Sequence, residues 1–480
     1  MTLNRFATDL IATTWRDDLI PQLCQYIEIP ALSPAFDPDW ATSGHIEDAV
    51  AHVREWMAAR PLEGMTVQVQ RLEGRTPLIV AEVEPYGPDG RDGPAVLLYG
   101  HLDKQPEMEG WRDGLGPWKP VLDGDRLYGR GGADDGYAAY ASMTALEAVQ
   151  RSGGSHGRCV VLIEASEESG SPDLPAHVSE LTDRLGDVDL VICLDSGCAT
   201  YDTLWLTTSL RGLVDGTLTV TILTEGVHSG GASGPVPSSF RIMRQLLDRI
   251  EDAATGAVLV PEATVAIPDH RVDEAAAMAA LLGGGDEGAG ERFPLVPGAR
   301  TTCDGAEALL ASTWKPTVSY VGADGLPPTA KAGNVLRPMT AIKISLRLPP
   351  TADPAAAQIA LRARLTDDPP YGATVTFGRS EAAPGWNAPA LEPWLRAALD
   401  EASASVFGGP VQLMGEGGTI PFMGMLGDRF PAAQFVITGV LGPGSNAHGP
   451  NEFLHLAYAE QLTSVIANTL DAHASRQRGA

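Results

Sequence analysis

The sequence has little cysteine, little basic charge and no long apolar run. Its five cysteines are scattered, odd in number and never spaced as C-x-x-C, which argues against a disulfide scaffold and against a thiolate zinc site. No apolar run reaches 18 residues, so we expect no membrane span. The first residues lack the basic and apolar regions of a signal peptide. We therefore predict a protein of the reducing cytoplasm.

The scarcity of basic residues also limits the partners. There are 34 Lys and Arg residues against 61 Asp and Glu residues, a formal net charge of −27. Nucleic acids and anionic membranes attract basic surfaces, so neither is an expected partner. An apolar content of 44% is typical of a globular protein, and 480 residues exceed one ordinary core. We expect two or three domains, with carboxylates available for cations.

Three apolar runs predict buried strands that end in side chains able to bind a metal. They are Ala95–Tyr99 before His101 and Asp103, Cys159–Ala165 before Glu167 and Glu168, and Val188–Leu194 before Asp195. Ligands of open α/β sheets bind beyond the carboxyl ends of the strands, so we expect these groups to meet. Singly, each has an ordinary explanation: His101 and Asp103 could share a hydrogen bond, and two adjacent glutamates could form a solvated loop.

A glycine-rich stretch from Gly129 to Gly136 precedes a predicted helix from Tyr137 to Gln150. In a dinucleotide-binding loop, G-x-G-x-x-G, the third glycine would stand where this chain has Asp134. Its carboxylate would repel a pyrophosphate, so we reject that interpretation. Asp134 and Asp135 could favour the helix N-terminus, which explains one of them better than both. Asp134 is therefore a candidate ligand.

The pattern of apolar and polar residues changes after residue 203. Alternating runs such as Thr217–Ile222 and Ala341–Leu348 predict an antiparallel sheet with one solvated face. The predicted fold class is α/β, with a mixed, largely parallel sheet flanked by helices and an inserted α+β domain. We place the first domain at 1–206 and 386–480, and the inserted domain at 207–385.

The candidate ligands amount to two imidazoles and three carboxylates. The set is His101, Asp134, Glu168, Asp195 and His448. A hydrolytic pair of zinc ions needs this inventory, with one carboxylate shared between ions about 3.5–4 Å apart. Such ions would polarise a carbonyl and lower the pKa of a bridging water. Glu167 is the natural candidate for the general base that takes the proton of that water.

Five motifs occur in a characteristic order along most of the chain. They are Gly100-His101-Leu102-Asp103, Gly129-Arg130-Gly131-x-x-Asp134, Glu167-Glu168-Ser169-Gly170, the strand-terminal Asp195 and Ala447-His448. As a set they resemble the co-catalytic zinc aminoacylase, carboxypeptidase and dipeptidase family, and look most like its carnosinase-like cytosolic dipeptidase branch. The resemblance implies that Asp134 bridges both ions. It assigns His101 and Asp195 to one ion, Glu168 and His448 to the other, and Asp103 to the orientation of His101.

The resemblance also implies that the inserted domain is a lid and dimerisation domain that supplies substrate-binding residues. His228 would reach the active site of a partner subunit and polarise the substrate carbonyl. Arg347 would bind a substrate carboxylate, and Asn334 would make a polar contact. Gly418 and Thr419, in the stretch Gly417 to Pro421, would hold the C-terminal carboxylate. Without the motif context, His228 would be an ordinary loop histidine and Arg347 would lie on the solvated face of a strand. Gly418 and Thr419 would simply belong to a turn.

Taken together, these residues predict a homodimeric metallohydrolase that cleaves a peptide bond of dipeptides or short peptides beside a free carboxylate. Its cofactors would be two divalent ions, Zn²⁺ first, with Mn²⁺ or Co²⁺ as alternatives. One departure stands out: Gly136 occupies the position where the family often has lysine. That residue is not a ligand, so the departure bears on local support and metal preference and not on metal binding itself. The alternatives are an N-acyl amino acid deacylase or desuccinylase with the same site, and a non-catalytic binding protein on this fold.

Overall fold

The computed structural model describes residues 4–283 and 295–476. Within them the chain forms two compact units. The first comprises residues 4–208, 388–414 and 425–476, and the second comprises residues 209–283, 295–387 and 415–424. The sequence pattern predicted that the chain passes between domains only after residues 206 and 385, and those domain limits stay a prediction.

A six-stranded mixed sheet lies at the centre of the first unit. In spatial order its strands are Met65–Gln70, Leu78–Val83, Cys159–Glu164, Ala95–His101, Val188–Cys193 and Gln434–Ile437. The first two pairings are antiparallel and the remaining three are parallel. Tyr99 is in register with Leu162 on one side and with Cys193 on the other. This confirms the mixed, largely parallel sheet and makes the three predicted strands direct neighbours.

The central strands are buried along their whole length. All seven residues of Ala95–His101 and all six of Cys159–Glu164 are buried. Parallel strands covered on both faces need apolar side chains at every position. The sequence therefore shows unbroken apolar runs here, and the polar residues begin where each strand leaves the sheet.

Helices cover this sheet, and Tyr137–Arg151 is the most deeply buried, since every residue from 137 to 150 is buried. The others in the first unit are Arg5–Thr14, Ile20–Ile27, Trp40–Ser43, His45–Ala58, Leu174–Glu180, Thr182–Leu185, Pro393–Phe407 and Leu456–Ser475. A small sheet contains Val121–Asp123, Arg126–Tyr128 and Phe453–His455. Strands Trp205–Leu210 and Gln412–Glu416 and helix Pro421–Arg429 include points where the chain passes from one unit to the other. No helix in the described part of the chain has the length and apolarity to span a bilayer.

The second unit is built on an antiparallel sheet, as the alternating pattern predicted. Its order is Thr317–Asp324, Met339–Leu348, Gly212–Thr221 and Thr374–Gly378, and Ala382–Ala383 also pairs with Gly212–Thr221. Buried positions alternate along Gly212–Thr221, and the buried face packs against helices Ser239–Leu247 and Pro354–Thr366. Among the described residues, this unit also contains helices Ser229–Ala232, Asp269–Leu281 and Gly305–Thr313, and strands Val227–His228, Val335–Leu336 and Trp386–Asn387.

Candidate metal centre

His101 is the last residue of strand Ala95–His101, and its side chain is fully buried. Its Nδ1 lies 3.1 Å from the backbone oxygen of Asp103, the hydrogen bond that would leave Nε2 free as a ligand. The Asp103 carboxylate lies 3.5 Å from the same nitrogen. That carboxylate also accepts hydrogen bonds from the backbone N–H groups of Glu167, at 3.1 Å, and Glu168, at 3.0 Å. Asp103 therefore supports both His101 and the turn that carries the two glutamates.

Asp134 lies between the two predicted histidine ligands. Its Oδ1 is 3.4 Å from His101 Nε2, and its Oδ2 is 3.0 Å from His448 Nε2. The residue is only 5% exposed and has an extended backbone conformation just before helix Tyr137–Arg151. A single carboxylate thus faces one imidazole with each of its oxygens, which is the arrangement that a bridging ligand requires.

The remaining carboxylates surround the same pair of imidazoles. Asp195 Oδ1 is 3.8 Å from His101 Nε2, and Glu167 Oε2 is 4.0 Å from it. Glu168 Oε2 is 3.3 Å from His448 Nε2. Both glutamates lie in a single 3₁₀ turn, Glu167–Ser169, close behind strand Cys159–Glu164. The structure therefore brings together all five predicted ligands and the predicted base.

This donor set fits divalent metal ions. Ligand atoms of His101, Glu167 and Asp195 lie within 4.8 Å of one another, as do those of His101, Asp134 and Glu168. His101 Nε2 is buried and has no hydrogen-bond partner within the described residues, although a buried polar atom is normally paired. Imidazole nitrogens and carboxylate oxygens are ordinary zinc ligands. A cation between these groups would give the imidazole nitrogen a partner and offset the carboxylate charge.

The electrostatics of the centre also favour a cation. Burial raises the pKa of Glu167 to about 7 and raises the pKa values of Glu168 and Asp195, and neighbouring carboxylates add to each increase. Burial acts the same way on Asp134, but His101 and His448 outweigh it and hold the pKa of Asp134 below its ordinary value. Repulsion between the carboxylates favours their protonated forms in the metal-free protein. Because metal ions bind deprotonated ligands, a divalent ion would replace those protons.

The predicted substrate-binding residues form two separate groups within the second unit. His228 is exposed and precedes helix Ser229–Ala232, where its Nδ1 accepts a hydrogen bond from the Gly230 N–H at 3.1 Å. Asn334 is adjacent to it, because the Asn334 carbonyl accepts a hydrogen bond from the Ser229 N–H at 2.9 Å. His228 and Asn334 therefore lie side by side in the fold of this unit.

The second group contains Arg347 and the stretch with Gly418 and Thr419. Arg347 Nη1 donates a hydrogen bond to Thr419 Oγ1 at 2.9 Å. Arg211, which was not predicted from the sequence, lies beside this group. Its backbone N–H donates to the Gly418 carbonyl at 2.9 Å, and its Nη1 donates to Thr317 Oγ1 at 2.9 Å. Burial, followed by repulsion from Arg347, lowers the pKa of Arg211 to about 10. No local pattern signalled Arg211, since an arginine before a strand is common.

A second missed residue lies beside the glutamate pair. Gln105 Nε2 donates a 2.6 Å hydrogen bond to Glu168 Oε2. The bond restricts the orientation of that carboxylate, and outer-shell contacts of this kind tune ligand geometry. Gln105 stands two residues after Asp103, just beyond the first motif. Its closeness to that motif was the available signal, but nothing in the sequence connected it to Glu168.

The chain is similar to several known proteins in sequence and in fold. The chain is 27% identical to a cysteinylglycine-S-conjugate dipeptidase of Corynebacterium striatum over 95% of this chain and 96% of that protein. Matches to succinyl-diaminopimelate desuccinylases cover between 20% and 27% of this chain. In fold it is similar to the dipeptidase Dug1p of Saccharomyces cerevisiae, with a TM-score of 0.77, 21% identity and 98% of each chain covered. It is also similar to human carnosine dipeptidase 1, with a TM-score of 0.75, 21% identity, and 97% of this chain and 98% of that one covered.

The sequence model described as peptidase family M20/M25/M40 matches residues 97–472. This range begins in strand Ala95–His101 and ends in helix Leu456–Ser475, so it includes every candidate ligand and the predicted base. The resemblance stated from the motifs is thereby confirmed. The chain belongs to peptidase family M20/M25/M40.

Proposed function

We propose that this protein is a dipeptidase that uses two divalent ions to cleave a peptide bond beside a free carboxylate. The observation that carries the proposal is the position of Asp134, with one carboxylate oxygen toward each imidazole. The similarity to the dipeptidase of Corynebacterium striatum extends over nearly the full length of both chains. That length of match supports dipeptides as the substrate class.

His101 and Asp195 would hold one ion, Glu168 and His448 would hold the other, and Asp134 would be shared. Bound there, the ions would supply Lewis acidity toward the scissile carbonyl and toward the attacking water. Zn²⁺ is the first choice because imidazole and carboxylate are its usual ligands, and Mn²⁺ and Co²⁺ are alternatives.

Glu167 would be the general base and then the general acid. Its carboxylate is 13% exposed and lies 4.0 Å from His101 Nε2, so it borders the imidazole of the candidate centre. A carboxylate at that position would take a proton from water and then release it. Glu167 would pass this proton to the nitrogen of the leaving amine as the peptide bond breaks.

Arg347, Gly418 and Thr419 would bind the free carboxylate of the substrate. The Arg347 guanidinium has several N–H donors, and one of them already donates to Thr419 Oγ1. A planar guanidinium matches a carboxylate in shape and charge. His228 and Asn334 would contact the substrate near the scissile carbonyl.

A homodimer of cytoplasmic location is part of the proposal, with His228 acting in the partner subunit. Strand Thr317–Asp324 supports the dimer because it is an edge strand of its sheet. It exposes 42% of Tyr320 and 59% of Val321. An exposed edge with apolar side chains is suited to pairing with another copy.

Substrate profiling of the metal-loaded protein tests the proposal. We expect the protein to release both amino acids from dipeptides and to release none when the C-terminal carboxylate is amidated. We expect elemental analysis to find two ions per chain. Hydrolysis of N-acyl amino acids without any cleavage of dipeptides would favour the deacylase or desuccinylase alternative. No hydrolysis across a broad amide panel would favour the binding-protein alternative.

A further inference from the structure

A buried ion pair outside the ligand set connects the segments that carry the candidate ligands. Arg130 is 1% exposed and Glu452 is 0% exposed. Arg130 Nη1 donates a 2.5 Å hydrogen bond to Glu452 Oε2. Removing both charges from water is costly, and an apolar pair of similar size is often as stable. The presence of the pair therefore calls for a role besides stability.

The hydrogen bonds of the pair reach three different segments. Arg130 Nε donates to the Pro106 carbonyl at 3.2 Å, and Arg130 Nη2 donates to the Gly449 carbonyl at 2.8 Å. Glu452 Oε1 accepts a hydrogen bond from the Gly131 N–H at 2.9 Å. Pro106 follows Asp103 by three residues, Gly131 precedes Asp134 by three, and Gly449 is next to His448. The pair thus joins the chain on either side of the candidate centre.

His448 depends on such support more than the other histidine does. Its side chain is 54% exposed, whereas the His101 side chain is fully buried. His448 has a φ of 64°, and Asn446 and Asn451 in the same loop have φ values of 54° and 63°. Non-glycine residues rarely adopt these angles, and they persist only where surrounding contacts enforce them. Arg130 contacts this loop at two points, the Gly449 carbonyl and the Glu452 carboxylate.

We propose that Arg130 and Glu452 are positioning residues that fix the His448 imidazole against Asp134. They would thereby set the affinity of the second ion site, formed by Asp134, Glu168 and His448. The first ion site would be affected much less, because packing in the central sheet holds His101. This inference rests on the proposed function, since it presumes that the centre binds two ions.

The test is a metal titration of the double variant Arg130→Met/Glu452→Gln. Removing both charges together leaves no uncompensated buried ion, and glutamine can still accept a hydrogen bond from the Gly131 N–H. Zn²⁺ binding is measured by competition with a chromophoric chelator, and Co²⁺ absorption spectra report the geometry of each site. Melting of the metal-free protein shows whether the fold is retained. The exposed pair Arg71 and Glu47, joined at 2.6 Å, supplies the control variant Arg71→Met/Glu47→Gln.

We expect the first ion to bind as in the parent protein and the second to bind about 10- to 100-fold more weakly, the usual effect of lost outer-shell contacts. The Co²⁺ spectrum of the second site should change, and the control variant should match the parent. His448→Ala serves as a reference that removes a ligand of the second site directly. Arg130→Lys is measured in parallel because it keeps the buried positive charge but loses the several hydrogen bonds of the guanidinium. This variant tests the positioning role of Arg130 even if the double variant does not fold.

Two results would overturn the inference. One is parental affinity for both ions in a folded variant, and the other is equal weakening of both ions, which would indicate general support of the fold. If the parent protein itself bound no ions, the proposed function would fail instead. The two failures are therefore distinguishable.

Discussion

Glu164 provides a quantitative test of the electrostatics beneath the candidate centre. It is the last residue of strand Cys159–Glu164 and is 3% exposed. Its Oε1 accepts hydrogen bonds from Tyr99 Oη at 2.6 Å and from Ser171 Oγ at 2.8 Å. Burial, followed by repulsion from Asp103, raises the pKa of Glu164 from 4.5 to about 8. Folding therefore keeps a proton on this carboxyl that the unfolded chain releases at neutral pH.

The sign of the pH effect follows from this difference. Below pH 4.5 the carboxyl is protonated in both states and contributes nothing to the pH dependence. Between pH 4.5 and 8 only the unfolded chain ionises, so the free energy of unfolding falls by about 1.4 kcal/mol per pH unit. From pH 5 to pH 9 the loss attributable to Glu164 amounts to about 4 kcal/mol.

Glu164→Gln should remove this loss, because an amide has no proton to release and its oxygen still accepts the Tyr99 hydrogen bond. The assay is urea unfolding of metal-free parent and variant at pH 5, 7 and 9. We expect the variant to gain about 4 kcal/mol relative to the parent between pH 5 and pH 9. Glu47→Gln, in an exposed ion pair, should show no such trend. A difference between Glu164→Gln and the parent that stays constant with pH would refute the raised pKa.

Three further predictions concern activity. Glu167→Gln should retain two ions per chain by elemental analysis. Its kcat should fall about 10²- to 10⁴-fold, which is the contribution of general base catalysis. A parental kcat would show that Glu167 does not have that role. Arg347→Lys should raise KM for dipeptides about tenfold or more, because it loses the forked contact with a carboxylate, and a parental KM would argue against carboxylate binding at Arg347. His228→Ala and Glu167→Ala proteins, mixed under conditions that exchange subunits, should regain part of the parental activity. No recovery despite demonstrated exchange would contradict a role of His228 in the partner subunit.

Much of the metal centre could be predicted because its ligands follow strands with a strong sequence signal. A strand buried on both faces must be apolar throughout, so the runs that end near His101, Glu167 and Asp195 were visible without a structure. The carboxyl ends of neighbouring parallel strands meet at one edge of a sheet. Order along the chain was therefore enough to predict that these groups converge.

The supporting contacts could not be predicted in this way. The carboxylate of Asp103 holds the N–H groups of Glu167 and Glu168, which are 64 and 65 residues away. Arg130 and Glu452 are separated by 322 residues. In the second unit, the Arg211 backbone N–H donates a hydrogen bond to the distant Gly418 carbonyl, a contact that no periodicity predicts. Each of these contacts depends on the path of loops, whose conformation is set by what surrounds them.

The sequence by itself determined the α/β class, the buried strands and the identity of the groups able to bind a cation, because burial and metal affinity are properties of residue types and their spacing. Only the tertiary structure decided that one oxygen of Asp134 faces His101 and the other faces His448. It also decided that the buried ion pair of Arg130 and Glu452 contacts the loop that carries His448. Both arrangements arise from segments that meet only after the chain has folded.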